Sequence, residues 1–240
     1  MPRHGKRYLT LSKTFDHEKA YPLAEAVKLV KSMANAKFDE TIEIHFRLGI
    51  DPRHSDQQVR STVLLPHGLG KTVRVLVFAE GEDARIARDA GADIIADDEV
   101  INRIQKENFL DFEATLAVPA MMPKVGRLGR ILGTRGLMPN PKTGTVVQPE
   151  DLPRAIKEVK AGRVEFRNDK TGNLHLPVGK ASFDETRLTE NAQAIIEAVQ
   201  KMKPAAVKGV YIKKVVLTST MAPGVRIDLS ASAASSAASA

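Results

Sequence analysis

From Thr41 to Leu48 the residues Ile42, Ile44, Phe46 and Leu48 alternate with Glu43, His45 and Arg47. That period of two marks an antiparallel strand with one dry and one wet face. The same rhythm returns far downstream, in the stretch from Gly162 to Phe183. There Val164 and Phe166 alternate with Glu165 and Arg167, and Leu174, Leu176 and Val178 with His175 and Pro177. The residues between, Asn168 to Asn173, are turn formers and Gly172 can take a positive φ, so this stretch reads as a β-hairpin. Its wet side presents Glu165, Arg167, His175 and, at the tip, Lys170, a mixed polar surface suited to phosphates and ribose hydroxyls. Between the two alternating regions lies Val73 to Ala79 (VRVLVFA), nearly continuous in apolar residues. A run of that kind belongs to a strand covered on both faces. The chain must therefore build two kinds of sheet.

The remaining patterns sort with these two. Pro22 opens a helical stripe of Leu23, Ala26, Val27, Val30 and Met33, and a second strand is expected near Gln58 to Leu65. After Val73 to Ala79, helical and strand patterns alternate: a helix from Glu82 to Ala90, a strand at Asp93 to Ala96, a helix from Glu99 to Asn108. A strand at Ala114 to Val118, a helix within Pro119 to Leu132 and a helix from Glu150 to Ala161 complete the series. Such alternation argues βαβ units and a parallel sheet. The third portion returns to the first style. Ser182-x-x-Glu185 has the spacing of a capping box before a long amphipathic helix with Leu188, Ala192, Ile195 and Val199 on its stripe. Val210 to Thr220 then reads as a strand, with a bulge at Lys213-Lys214. The expected fold is α/β and α+β in two domains: a discontinuous split β-α-β outer domain, residues 1–66 with 159–228, and an inserted Rossmann-like α/β domain, 67–158. Residues 229–240, mostly serine and alanine, form a tail with nothing to bury. The crossings carry Gly68, Gly70 and Gly162, the candidate hinge.

Charge narrows the partner. The chain of 240 residues has net charge +7 and a pI near 9.6. Residues 1–66 hold 11 basic and 8 acidic side chains, 67–158 hold 13 and 14, and 159–240 hold 12 and 7. The excess therefore sits on the two ends, which share a basic surface and call for an anionic partner. The absence of cysteine excludes a disulfide framework and thiolate-held metal, and no apolar run approaches a membrane span. A soluble, cytoplasmic protein with no membrane partner is expected.

Catalytic readings find little support. Gly68-Leu69-Gly70-Lys71-Thr72 suggests a phosphate loop, but Leu65 stands where the first glycine belongs and a strand, not a helix, follows. The glycines Gly126, Gly129, Gly133 and Gly136 miss the dinucleotide spacing. Asp97-Asp98-Glu99 precedes a helix pattern, where carboxylates cap free N–H groups. The six histidines lack ligand spacing, so no catalytic residue, metal site or cofactor is expected. A nucleotide-dependent enzyme built on the inserted domain remains the alternative, on fold analogy alone. Nucleic-acid features are stronger. Residues 114–149 contain Lys124, Arg127, Arg130, Arg135 and Lys142 and no acid, in a segment rich in glycine and proline. With few aromatics, readout of folded RNA by shape and backbone suits the composition better than stacking on single strands.

Six motifs in one order, AKFDET from Ala36, LGIDPR from Leu48, LPHGLGK from Leu65, RGLMPNPKTGTV from Arg135, FRNDKTG from Phe166 and TSTMAP from Thr218, resemble one family. It is the bacterial family of the first large-subunit ribosomal protein, the mobile-stalk family beside the tRNA exit site. The resemblance covers about residues 1–228 and implies the same two-domain architecture. It implies an rRNA surface on the outer domain at Lys37, Phe38, Thr41, Glu43, Arg167, Lys170, Thr218, Thr220 and Met221. It also implies exit-site tRNA, the ribosome and the chain's own operon mRNA as partners, and a monomer off the ribosome. Family members usually carry TMGP where this chain has Thr220-Met221-Ala222-Pro223, which places a methyl where they have bare backbone.

Overall fold

The computed structural model describes residues 5–229; of the tail expected over 229–240 only Leu229 falls within them, and it packs against the outer core instead of standing free, while the rest lies outside the described residues. The chain divides into two compact units, one taking the chain up to Gly70 and resuming at Val164, the other running Lys71–Arg163.

In the outer unit, helices α1 (Lys6–Leu11) and α2 (Leu23–Met33) precede strands β1 (Thr41–Leu48) and β2 (Arg60–Leu64). The inserted unit holds β3 (Val75–Phe78), α3 (Glu82–Asp89), β4 (Ile94–Ile95), α4 (Asp98–Glu107), β5 (Ala114–Ala117), α5 (Met122–Gly126), α6 (Gly129–Thr134) and α7 (Leu152–Ala161). The chain returns through β6 (Arg163–Arg167), β7 (Asn173–Lys180), α8 (Glu185–Lys201), β8 (Ile212–Ser219) and β9 (Val225–Ile227).

The outer sheet has the order β7-β1-β8-β9 and is antiparallel throughout. Ile42, Ile44, Phe46 and Leu48 of β1 are buried together with Leu174, Leu176 and Val178 of β7 and Val215 and Leu217 of β8. Over this apolar side lie α2 and α8, which pack on each other and on the sheet. The stripe read for α2, Leu23, Ala26, Val27, Val30 and Met33, is the set that it buries. The alternation of β1 thus leaves Thr41, Glu43, His45 and Arg47 on a face without a helix. In β8 the register steps between Arg47↔Lys214 and Leu48↔Ile212, so Lys213 is the extra residue of the expected bulge.

In the inserted unit the parallel sheet has the order β4-β3-β5. Leu76 and Phe78 of β3 join a core with Ile101, Ile104, Val125 and Leu132, while Val75 and Val77 join a second with Ala87, Leu152 and Ile156. Two cores, one on each side, explain why the run has no polar beat.

Four expectations need correction. The stretch Gly162 to Phe183 is not a hairpin. β6 pairs with β2 in a separate two-stranded sheet, while β7 pairs with β1. Alternation specifies which face is buried but not which neighbour supplies the hydrogen bonds, and Val59, bonded to Asn168 in both directions, draws β6 away. Ser182 does not cap α8. Its hydroxyl donates to Asp39 Oδ2 at 2.8 Å, and Asp184 takes the N-cap position. The single helix expected within Pro119 to Leu132 is a 3₁₀ turn and two short helices, interrupted between Gly126 and Gly129. Finally, the units change over at 70/71 and 163/164 rather than at 66/67 and 158/159. On the first crossing Asn191, fully buried in α8, accepts from the His67 N–H at 3.1 Å and donates to Gly68 O at 3.0 Å, tying the segment to the outer unit. On the second, Ile156 and Val159 hold α7 in the inserted core.

Candidate nucleic-acid interface

The parity of β1 extends one step upstream. Glu40 shares the inward side with Ile42 and is 1% exposed. Its carboxylate accepts the Ala36 N–H at 2.8 Å, the Met221 N–H at 3.0 Å and an Arg7 guanidinium at 3.3 Å. Burial alone would raise this carboxyl, but the Ala36 and Met221 N–H groups and the Arg7 charge hold it below its ordinary value. Beside it the Thr41 N–H donates to Thr220 Oγ1 at 3.0 Å, and the Thr220 N–H to Thr41 O at 3.1 Å. These bonds clip the segment before β1 to the segment after β8.

The consequence is visible in two apolar side chains. Phe38 is 55% exposed and Met221 52% exposed, although both are large apolar side chains. Lys37 is exposed next to Phe38. Glu43 lies opposite Thr218 in the ladder, and the Thr218 hydroxyl donates to Ala222 O at 3.1 Å. The Ala222 methyl packs against the outer core. Lys37, Phe38, Thr41, Glu43, Thr218, Thr220 and Met221 therefore share one end of the sheet.

Arg167 and Lys170 do not join them. Asn173, which begins β7 just after the Lys170 turn, pairs with Arg47, six residues along β1 from Thr41; at the usual rise per residue that is roughly 20 Å. Here the organiser is Asp169, which accepts the N–H groups of Thr171 at 2.8 Å and Asn173 at 2.7 Å, and the Thr171 hydroxyl. Burial opposes its charge, but these donors, the Asn173 N–H first, hold the carboxyl well below the usual range. Gly172, at φ 78°, takes the left-handed conformation that the turn requires. Arg47 Nη1 braces the turn by donating to Thr171 O at 2.6 Å.

Of the five basic residues singled out in the inserted unit, Lys124 is committed to Glu80 and to Asp98, the latter at 2.9 Å. Arg127, Arg130, Arg135 and Lys142 are exposed. Arg130 and Arg135 line an open cavity of about 610 Å³ with Asn108 and Thr134, whereas Lys142 sits on the separate turn Pro141–Thr143. Asp97 accepts the Val100 N–H at 3.0 Å and caps α4. Among the described residues no group of three metal-ligating side chains converges, and no helix is long and apolar enough to cross a membrane. Gly68, Gly70 and Gly162 all have positive φ, at 64°, 68° and 108°. Gly162 ends α7, and a Cβ on Gly70 would meet the Phe183 ring at 2.7 Å.

Reading the sequence missed three residues that shape this surface: Glu40, Asp169 and Lys180, whose ammonium donates to Thr41 Oγ1 at 3.0 Å. For Glu40 a signal existed, because an acid on the inward beat of a strand must be paired.

The model of the ribosomal protein L1p/L10e family matches residues 30–223, from α2 to just past Met221. The chain belongs to that family. The matched span takes in β1, β7 and β8 of the outer sheet and the whole inserted unit. Among similar members, the large ribosomal subunit protein uL1 of Chloroflexus aggregans is 60% identical over 95% of this chain and 97% of its own length. The uL1 proteins of Chloroflexus aurantiacus and Thermosipho africanus are 58% and 57% identical, again over 95% of this chain and over 96% and 97% of theirs. Within the family frame, the mixed helix-and-strand architecture and the sequence resemblance agree.

Proposed function

We propose that this protein is a structural constituent of the large ribosomal subunit, in the cytoplasm, that binds large-subunit rRNA directly and is not an enzyme. Its relatives carry the name of a large-subunit protein across nearly the whole of both chains. The observation that carries RNA binding is the pair Phe38 and Met221, held out of the core by Glu40 and the Thr41–Thr220 clip. Exposed apolar side chains flanked by hydroxyls and a lysine suit a ribose or splayed base beside a phosphate. Lys37, Thr41, Glu43, Thr218 and Thr220 complete this contact, and Arg167 and Lys170 supply a second at the far end of β7. The outer unit grips the rRNA. The inserted unit adds a weaker RNA contact through Arg127, Arg130, Arg135 and Lys142, with Lys124 held back by its ion pairs.

Two finer readings go with this one. Paired crossings at Gly68, Gly70 and Gly162 act as a hinge, so that the protein forms a mobile stalk near the tRNA exit site and aids release of deacylated tRNA. The same outer surface binds the protein's own operon mRNA and represses its translation. Filter binding of the full chain and of residues 1–70 joined to 164–229 to transcribed large-subunit rRNA tests the main reading. The shortened protein is expected to keep most of the affinity; loss of nearly all of it, with the fold intact by circular dichroism, moves the main site to the inserted unit.

A further inference from the structure

We infer that the middle of the outer sheet's wet face is a proton-gated seat for one RNA backbone phosphate, built by His45, His175, Arg47 and Lys214. The inference rests on the RNA-binding reading above and adds to it a subsite and a pH dependence.

The ladder places His45 directly opposite His175. Their Nδ1 atoms are 2.9 Å apart and the rings are inclined at 64°. Two imidazole nitrogens at that distance share a single proton, one donating and one accepting. The outer nitrogens face acids: Glu43 Oε2 lies 3.8 Å from His45 Nε2, and Asp169 Oδ2 3.8 Å from His175 Nε2. For His45, burial and the neighbouring His175 lower the pKa and outweigh Glu43. The free protein at neutral pH therefore keeps His45 neutral and the Nδ1–Nδ1 bond intact.

Beside the pair, Arg47, Lys214, Asn173 and Val216 line with the two rings a cavity of about 170 Å³. Arg47 spends Nη1 on Thr171 O and Asn173 Oδ1. Lys214, its ladder partner on β8, is exposed and has no side-chain partner among the described residues. No carboxylate lines the cavity; Glu43 and Asp169 face the rings from outside it, and Val216 and Asn173 are neutral. One anchored guanidinium and a lysine without a counter-ion suit a compact oxyanion. A further proton goes to the vacant Nε2 of the ring whose Nδ1–H donates, so the Nδ1–H···Nδ1 bond stays in place and the pair gains one positive charge beside the anion. Binding draws in that proton. His45 stands four residues from Thr41 and two from Arg47, so an RNA backbone running between the two ends of the sheet passes over the seat.

The test is the affinity of the full chain for transcribed large-subunit rRNA at pH 5.8, 7.0 and 8.0. Uptake of one proton gives at most about tenfold per pH unit, so binding about five- to tenfold tighter at pH 5.8 than at pH 8.0 is expected. His45→Gln and His175→Gln are expected to bind with nearly the same affinity at all three pH values. Thr220→Ala is expected to weaken binding throughout while keeping the pH slope. A flat profile for the unaltered protein, or a slope retained in both histidine variants, overturns the seat even where Thr220→Ala still weakens binding. Absence of rRNA binding at every pH overturns the RNA reading and the seat together.

Discussion

Glu40 accepts the backbone N–H of Met221 at 3.0 Å, although the two are 181 residues apart in the chain. A single buried carboxylate thus sets the loop before the first outer strand against the loop after the last long one. Both loops carry an exposed apolar side chain, and their alignment depends on this bond.

Replacing Glu40 by Gln keeps the size but turns one acceptor oxygen into a donor facing N–H groups. Urea unfolding is expected to show a loss of about 1–3 kcal/mol, the cost of leaving a buried partner unsatisfied. Because folding depresses the Glu40 pKa, its contribution is full above the unfolded-state value of about 4.5 and disappears as pH falls through the folded value. The stability difference between the Gln variant and the unaltered protein should therefore shrink below pH 4.5.

Phe38→Ala and Met221→Ala should separate binding from folding. With more than half of each side chain in water, stability should change by no more than about 0.5 kcal/mol. Affinity for rRNA should fall at least about fivefold, the scale of roughly 1 kcal/mol per stacked contact. Isothermal calorimetry beside thermal unfolding checks both halves; an unchanged affinity removes these residues from the surface.

Salt dependence sorts the lysines. Lys37→Ala and Lys170→Ala should each reduce the slope of log affinity against log salt by about 0.7–0.9. Lys124→Ala should leave it unchanged, since Glu80 and Asp98 already neutralise that ammonium.

Asn191→Ala tests the first crossing. Its side chain accepts from the His67 N–H and donates to Gly68 O and Val178 O, so truncation strands three backbone groups. A loss of about 2–3 kcal/mol is expected in urea unfolding, with the midpoint moving and the slope nearly constant.

Periodicity made the core of the outer sheet legible: β1 and α2 bury the residues that their beats assign. The unbroken run of β3 likewise announced a strand with a core on each side. Pairing was not legible, because Val164 and Leu174 point inward whether their strands join each other or different neighbours. Lys37, Thr41 and Thr220 enter the proposed site through motifs. That Phe38 and Met221 face water was hidden, since it follows from Glu40 bonding to a loop at the other end of the chain. The distance between Lys170 and Thr220 was hidden for the same reason: it depends on register, which a single strand's pattern does not contain.

The sheet order β7-β1-β8-β9 has a consequence for synthesis. The inserted unit is complete once Arg163 has been made, and its three parallel strands need nothing that follows. β1 is made among the first strands yet must wait for both of its ladder neighbours, the last of which ends at Ser219. On the translating ribosome, Ile42, Ile44, Phe46 and Leu48 stay uncovered while most of the polypeptide is added, so the nascent outer unit is the portion that chaperones must shield.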